Sequence, residues 1–157
     1  MKESIKFRLV RLSTDQFGVL NEMYKPDAPV GVYTKLSFGA QEREKIVAVS
    51  ASFRFKSDEN QAPFIILETK GFFHIKPESW ECMYDAEANT LSLEKGFARH
   101  LGVIVVGTSR GILHTRTEGT DLNHVILPLI NVEAILNEDV TISLAKERTT
   151  KTSEPQG

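Results

Sequence analysis

The chain has 157 residues, and 19 Lys and Arg against 21 Asp and Glu leave a formal charge of −2. Leu, Val, Ile and Phe supply 46 of the 157 residues, well above the roughly 20% floor for a chain that folds on its own. The near-neutral balance argues against a dedicated nucleic-acid binder, and the single cysteine, Cys82, excludes an internal disulfide framework. Charged and apolar residues alternate from Met1 to Leu12, so no signal peptide is expected. The longest apolar run, Val103–Val106, is far short of the roughly 18–20 residues that cross a bilayer. The expectation is one cytoplasmic domain over residues 1–145, with no cofactor and no membrane insertion.

In chain order, Ile5, Phe7 and Leu9 against Lys6 and Arg8 mark a first strand with one apolar face. The link from Ser13 to Gly31 is long and holds Pro26 and Pro29, yet carries Phe17, Val19, Leu20, Met23 and Tyr24. A loop of that length is usually functional or pinned by its own side chains. Period two returns at Val32, Thr34, Leu36 and Phe38, at Val47 to Phe55, and at Ile65 to Ile75. The short polar links Gly39–Glu44 and Ser57–Ala62 join these three strands into an antiparallel meander. Such a sheet needs a helix to cover its apolar face, which gives an α+β class.

That helix is expected after Ser92 as N-cap, with Phe97, Leu101, Ile104, Val105, Thr108 and Ile112 on one stripe toward the sheet. Ala98, Gly102, Val106, Ser109 and Leu113 form a second apolar stripe beside it. Gly102, Gly107 and Gly111 each cost about 1 kcal/mol relative to Ala inside a helix, so something must offset them. The expectation is an oligomer whose second copy packs on the Ala98–Leu113 stripe; the alternative is a helix that breaks near Gly107 or Gly111. Asn131 caps a short second helix through Val132, Ile135 and Leu136 that stops near Asn137. Val140, Ile142 and Leu144 suit a last extended segment, and residues 146–157, with no apolar side chain, read as a disordered polar tail.

Chemistry is sparse. His114 and Glu118 share a face at i, i+4, but two ligands are too few for a metal. Cys82 has no visible base or oxyanion hole to make it a nucleophile. Gly107-Thr108-Ser109-Arg110-Gly111 lacks the lysine and preceding strand of a phosphate loop. No enzyme is expected, and no metal site.

Between Pro63 and Leu136 lie Gly71-Phe72-Phe73-His74-Ile75, Pro77-Glu78-Ser79-Trp80-Glu81 and Gly96-Phe97. Gly107-Thr108-Ser109-Arg110-Gly111-Ile112-Leu113-His114, Thr117-Glu118-Gly119-Thr120 and Leu127-Pro128-Leu129-Ile130-Asn131-Val132 follow them. Together these blocks resemble the SecB-like protein-export chaperones, in a divergent bacterial form. The resemblance implies a four-stranded antiparallel sheet with a long helix on one face and a short second helix, assembled as a dimer of dimers. It further implies an ATP-independent holdase that binds unfolded preproteins in apolar grooves, with the secretion motor ATPase as a further partner. By that likeness the groove places Phe17, Leu20, Met23 and Tyr24 opposite Ile130, Val132, Ile135 and Leu136. Better-known members extend the second helix and are strongly acidic, whereas this chain stops near Asn137 and is nearly neutral. Two alternatives stand beside the export holdase: a SecB-like chaperone of a toxin–antitoxin pair, and a scaffold or ligand-binding protein on the same fold.

Overall fold

β-Branched and aromatic residues at every second position draw Gly31–Gln41 (β2), Ile46–Lys56 (β3) and Ile65–Ile75 (β4) into strands of eleven residues each. In the computed structural model, which describes residues 4–144 and 149–152, they form the expected antiparallel meander. Val49 of β3 lies opposite Phe38 on one side and Gly71 on the other. The β2–β3 turn closes on Lys45, whose φ of 56° is in the left-handed region.

The first strand is longer than its alternation suggests. β1 spans Phe7–Val19 and pairs antiparallel with β4. Its register shifts at Val10 and again at Asp15, and each bulge moves the following side chains to the opposite phase. The segment from Ser13 to Val19, expected as part of a loop, is therefore strand, and only 20–30 cross over, with one 3-10 turn at Asn21–Met23. The crossover carries the chain past β3 and β4, so β1 becomes an outer strand beside β4.

After β4 comes a helix that the sequence reading missed, α1 (Pro77–Met83), which begins with Pro77 in the first turn where a missing N–H costs nothing. Tyr84–Asp85 (β5) and Thr90–Leu93 (β6) then form a hairpin, and Val140–Ser143 (β7) completes a second, three-stranded sheet against β6. Ser92 belongs to β6 and does not cap the long helix. That helix, α2 (Lys95–Arg116), starts after Glu94, and the Asp139 carboxylate accepts the Lys95 N–H at 2.8 Å. A residue 44 positions away thus meets one of the unpaired first-turn donors.

α2 runs unbroken for 22 residues, through Gly107 and Gly111, which removes the alternative of a broken helix. It lies over β3 and β4, with Leu101 and Val105 buried. Contact is closest at Gly71, where an added Cβ would stand 2.9 Å from Val105 Cγ2. At the same interface the hydroxyls of Thr69 and Ser109 bond each other, and Ser109 donates to the Val105 carbonyl at 2.7 Å.

The second stripe of α2 is buried, but not by another copy. Ala98, Gly102, Val106, Ser109 and Leu113 are all buried within the single chain. A Cβ on Gly102 would meet Val132 Cγ1 at 3.3 Å and Leu136 and Leu36 at 3.5 Å. The cover is the chain itself: Leu36 and Thr69 of the sheet meet Gly102 and Ser109, and the return along residues 122–136, ending in the four-residue helix α3 (Val132–Ile135), whose first turn the Asn131 side chain caps, brings Val132 and Leu136 onto Gly102 from the other side. This corrects the assignment of those five residues to an oligomer interface. An extended segment can seal a helix flank as well as a helix can, because apolar burial has no preferred direction.

The tail expectation is also corrected in part. Thr149–Thr152 (β8) pairs with Lys35–Phe38 on the outer side of β2, giving the order β1-β4-β3-β2-β8. The open backbone of β2 accepts any extended segment that reaches it, and threonine favours that conformation. The remainder of 146–157 lies outside the described residues.

Candidate functional site

The two halves of the expected groove are not brought together. Val132, Ile135 and Leu136 are core residues, with Val132 and Leu136 pressed on Gly102 in the first third of α2. Phe17 sits at the other end of the helix, where the Arg116 guanidinium lies 5.8 Å from its ring centroid. From Gly102 to Arg116 is about 21 Å at 1.5 Å rise per residue. Ile135 and Leu136 therefore close the monomer core, which corrects their assignment to a groove, while Val132, though buried, also borders the open cleft beside Ile130. Ile130 is half-buried, beside an open cleft that Arg99, His100, Val103 and Glu133 also line.

The crossover half is partly accessible. The Leu20 N–H donates to the Phe64 carbonyl at 2.8 Å, which leaves its side chain exposed. Met23 and Tyr24 are half-buried on the core edge. The Tyr24 ring packs 4.8 Å from Phe64, and its hydroxyl bonds His124 Nε2 at 2.8 Å. That bond ties the crossover to the return segment.

Sequence reasoning missed an accessible apolar surface on β1, which holds several of the exposed large apolar side chains. Leu9, Leu12, Phe17 and Val19 stand opposite Phe73, Gly71, Leu67 and Ile65, so they face the side of the sheet on which α2 lies. α2 meets β1 at both of its ends. Phe7 packs edge-on against Phe97 at 5.2 Å and near His100 at 5.8 Å, and Arg116 covers Phe17. Between these contacts Leu9 is 41%, Val10 45% and Leu12 47% exposed, and Val19 and Leu20 prolong the band. Among the described residues no strand pairs with the far edge of β1, which leaves its outward backbone groups without a ladder along the same band. The bulges at Val10 and Asp15 hid this surface from period counting, and the Leu9, Val10, Leu12 cluster was the signal available.

A second apolar area lies on the outer face of α2. Val103 is 56% exposed and Gly96, Gly107 and Gly111 meet nothing within 4 Å of an added Cβ. On the return segment, Ile126 is exposed and Leu129 is 88% exposed. Leu127 and Pro128, between them, are held by Arg110, whose Nε and Nη2 each donate to one of their carbonyls at 2.8 Å.

Polar chemistry does not converge. Cys82 is exposed and its thiol meets only the Glu78 carbonyl, at 3.3 Å. His114 and Glu118 form an exposed pair at 3.6 Å. Among the described residues no group of three or more His, Cys, Asp or Glu could hold a metal ion, and no helix is long and apolar enough to cross a membrane. The Gly107–Gly111 amides lie inside α2 and face its own carbonyls. Among the described residues two ionisable groups are displaced from their ordinary values. The Asn60 N–H and Lys25 hold the Asp58 carboxyl below its ordinary value, while desolvation and the Glu42 and Glu81 carboxylates push the Tyr84 phenol up. No protein-family model matches the chain, and no curated protein or solved structure matches it.

Proposed function

We propose that the chain is an ATP-independent holdase for unfolded polypeptide, of the SecB-like kind that its sequence blocks resemble. One observation carries this reading: the exposed Leu9–Leu12 band lies along an unpaired strand edge. An unfolded client offers apolar side chains and unpaired backbone together, and this edge meets both needs at once. Area burial at about 25 cal/mol per Å² is non-directional, so many client sequences fit, and a long segment is needed to outweigh its ordering. The client surface is thus β1 with Phe17, Leu20 and Met23, in place of the groove across to α3. No catalytic step is involved. Self-association belongs to the same reading, through the outer face of α2 with Val103, Gly107 and Gly111, and multiple copies raise avidity. Preproteins and an antitoxin offer the same chemistry to this surface, and delivery to the secretion motor follows only from the family likeness.

The test is suppression of aggregation of a chemically unfolded client at equimolar protein, with mass measured by light scattering. The wild-type chain is expected to suppress aggregation, and Leu9→Ser/Leu12→Ser to lose most of that effect while keeping its circular dichroism. Unchanged client aggregation in the presence of the wild-type chain would refute the holdase.

A second reading, a scaffold or ligand-binding protein, is favoured by the burial of Val132, Ile135 and Leu136 where a groove was expected. It requires that an apolar dye find no surface on the folded chain.

A further inference from the structure

The face of the sheet turned away from α2 carries a charge opposite to that of the chain as a whole. Register places Arg8 and Arg11 of β1, Lys70 of β4, Arg54 and Lys56 of β3 and Lys35 of β2 on that one face. Against these six cations stand Glu68 and, at the bulge, Asp15, which already pairs with Lys70 at 3.4 Å. The whole chain nevertheless has a net charge of −2, so positive charge is segregated onto this surface. Arg8, Arg11, Lys35 and Arg54 are exposed, and Arg8, Lys35 and Arg54 have no ion pair with another described residue. The middle of the face carries small residues: Ala48, Ser50 and Ser52 run down β3 beside Gly39 and Ser37 of β2, with Ser50 buried and the others half-buried.

We propose that this sheet face docks an acidic, extended polypeptide segment of a partner protein. Small central side chains let a backbone lie close, and the flanking guanidinium and ammonium groups meet carboxylates projecting from it. β3 is eleven residues long, so the face spans about 33 Å, which about ten extended residues match. A nucleic acid fits less well. Two of the three aromatic rings on the face are already covered, His74 being the third: Arg11 lies 5.1 Å and Lys70 5.9 Å from the Phe72 centroid, and Lys56 lies 5.1 Å from that of Tyr33. The docking face is distinct from the β1 band, and it holds whether or not the chain is a holdase.

The experiment uses the full chain and a fluorescein-labelled decaglutamate, read by anisotropy at low salt and again near 1 M, where the screening length falls to about 3 Å. Decaglutamate is expected to bind at low salt and to be released at high salt. Lys35→Glu/Arg54→Glu should weaken it at least about tenfold, whereas Lys95→Glu, a single reversal on α2 away from this face, should leave it within about twofold. Should the double variant lose its circular dichroism, Arg8→Glu/Arg11→Glu at the opposite corner gives the same readout. Failure of decaglutamate to bind at low salt, or an equal loss with Lys95→Glu, would overturn the assignment. So would tighter binding of a ten-nucleotide thymidine strand that the same double variant abolishes, which would make this a nucleic-acid surface. Client aggregation measured with Lys35→Glu/Arg54→Glu should stay as in the wild type, which separates this face from the holdase surface.

Discussion

Alanine placed at three glycines of α2 separates its covered flank from its open one. By helix propensity alone, Gly→Ala gains about 1 kcal/mol at any interior position. At Gly107 and Gly111 nothing lies within 4 Å of the new methyl, so the full gain is expected. The two sites are neighbours at i, i+4 on one face, so the double variant gains up to about 2 kcal/mol. At Gly102 the methyl arrives 3.3 Å from Val132 Cγ1 and 3.5 Å from two leucine methyls, all on packed core residues. Overpacking of a well-filled core costs about 1–3 kcal/mol, so the propensity gain is cancelled or reversed there. Urea unfolding of the three variants at low protein concentration measures the difference, and light scattering on the same samples reads the mass. Gly107→Ala and Gly111→Ala should stabilise the dilute chain and lower its assembly mass, because their methyls thicken the outer face through which copies are proposed to meet. Gly102→Ala should destabilise the chain by up to about 2 kcal/mol. A stabilising Gly102→Ala would refute the placement of residues 132–136 on that flank. A destabilising Gly107→Ala in the monomer would show that the outer face is covered within the chain.

Arg110→Ala should cost about 1.5–3 kcal/mol, since it strips charge-assisted donors from the Leu127 and Pro128 carbonyls, and hydrogen exchange should quicken over 122–131. Arg110→Lys is expected to recover only part of that loss, because one ammonium cannot reproduce the two-pronged guanidinium geometry. Asp58 should titrate by NMR below its ordinary 3.8, chiefly because the Asn60 N–H bonds its carboxylate at 3.0 Å. A depressed carboxylate stabilises above its unfolded value, so the Asp58 contribution is present at neutral pH and lost as pH falls below 3.8 through the folded midpoint. An Asp58 midpoint at or above 3.8 would remove that turn from the acid response.

The meander, the class and the burial of the second α2 stripe were legible because each rests on a local period; of the first stripe only Leu101 and Val105 are fully buried. Val47 to Phe55 alternate along one strand, and Leu101, Val105 and Leu113 recur along one helix, without reference to anything distant. The Asn131 cap is equally local, one side chain meeting one N–H three residues on. What covers a stripe is a different matter, because apolar surface attracts any apolar partner and the pattern on α2 cannot say which. Only the folded chain shows Val132 and Leu136 lying on Gly102, so that the second stripe belongs to the monomer. The candidate surface was hidden for a related reason. Two bulges in β1 break the two-residue period, and the exposure of Leu9 and Leu12 depends on where α2 stops covering the sheet. The basic face is decided by register: Arg8, Lys35, Arg54 and Lys70 are scattered in sequence and share one surface only because four strands align them.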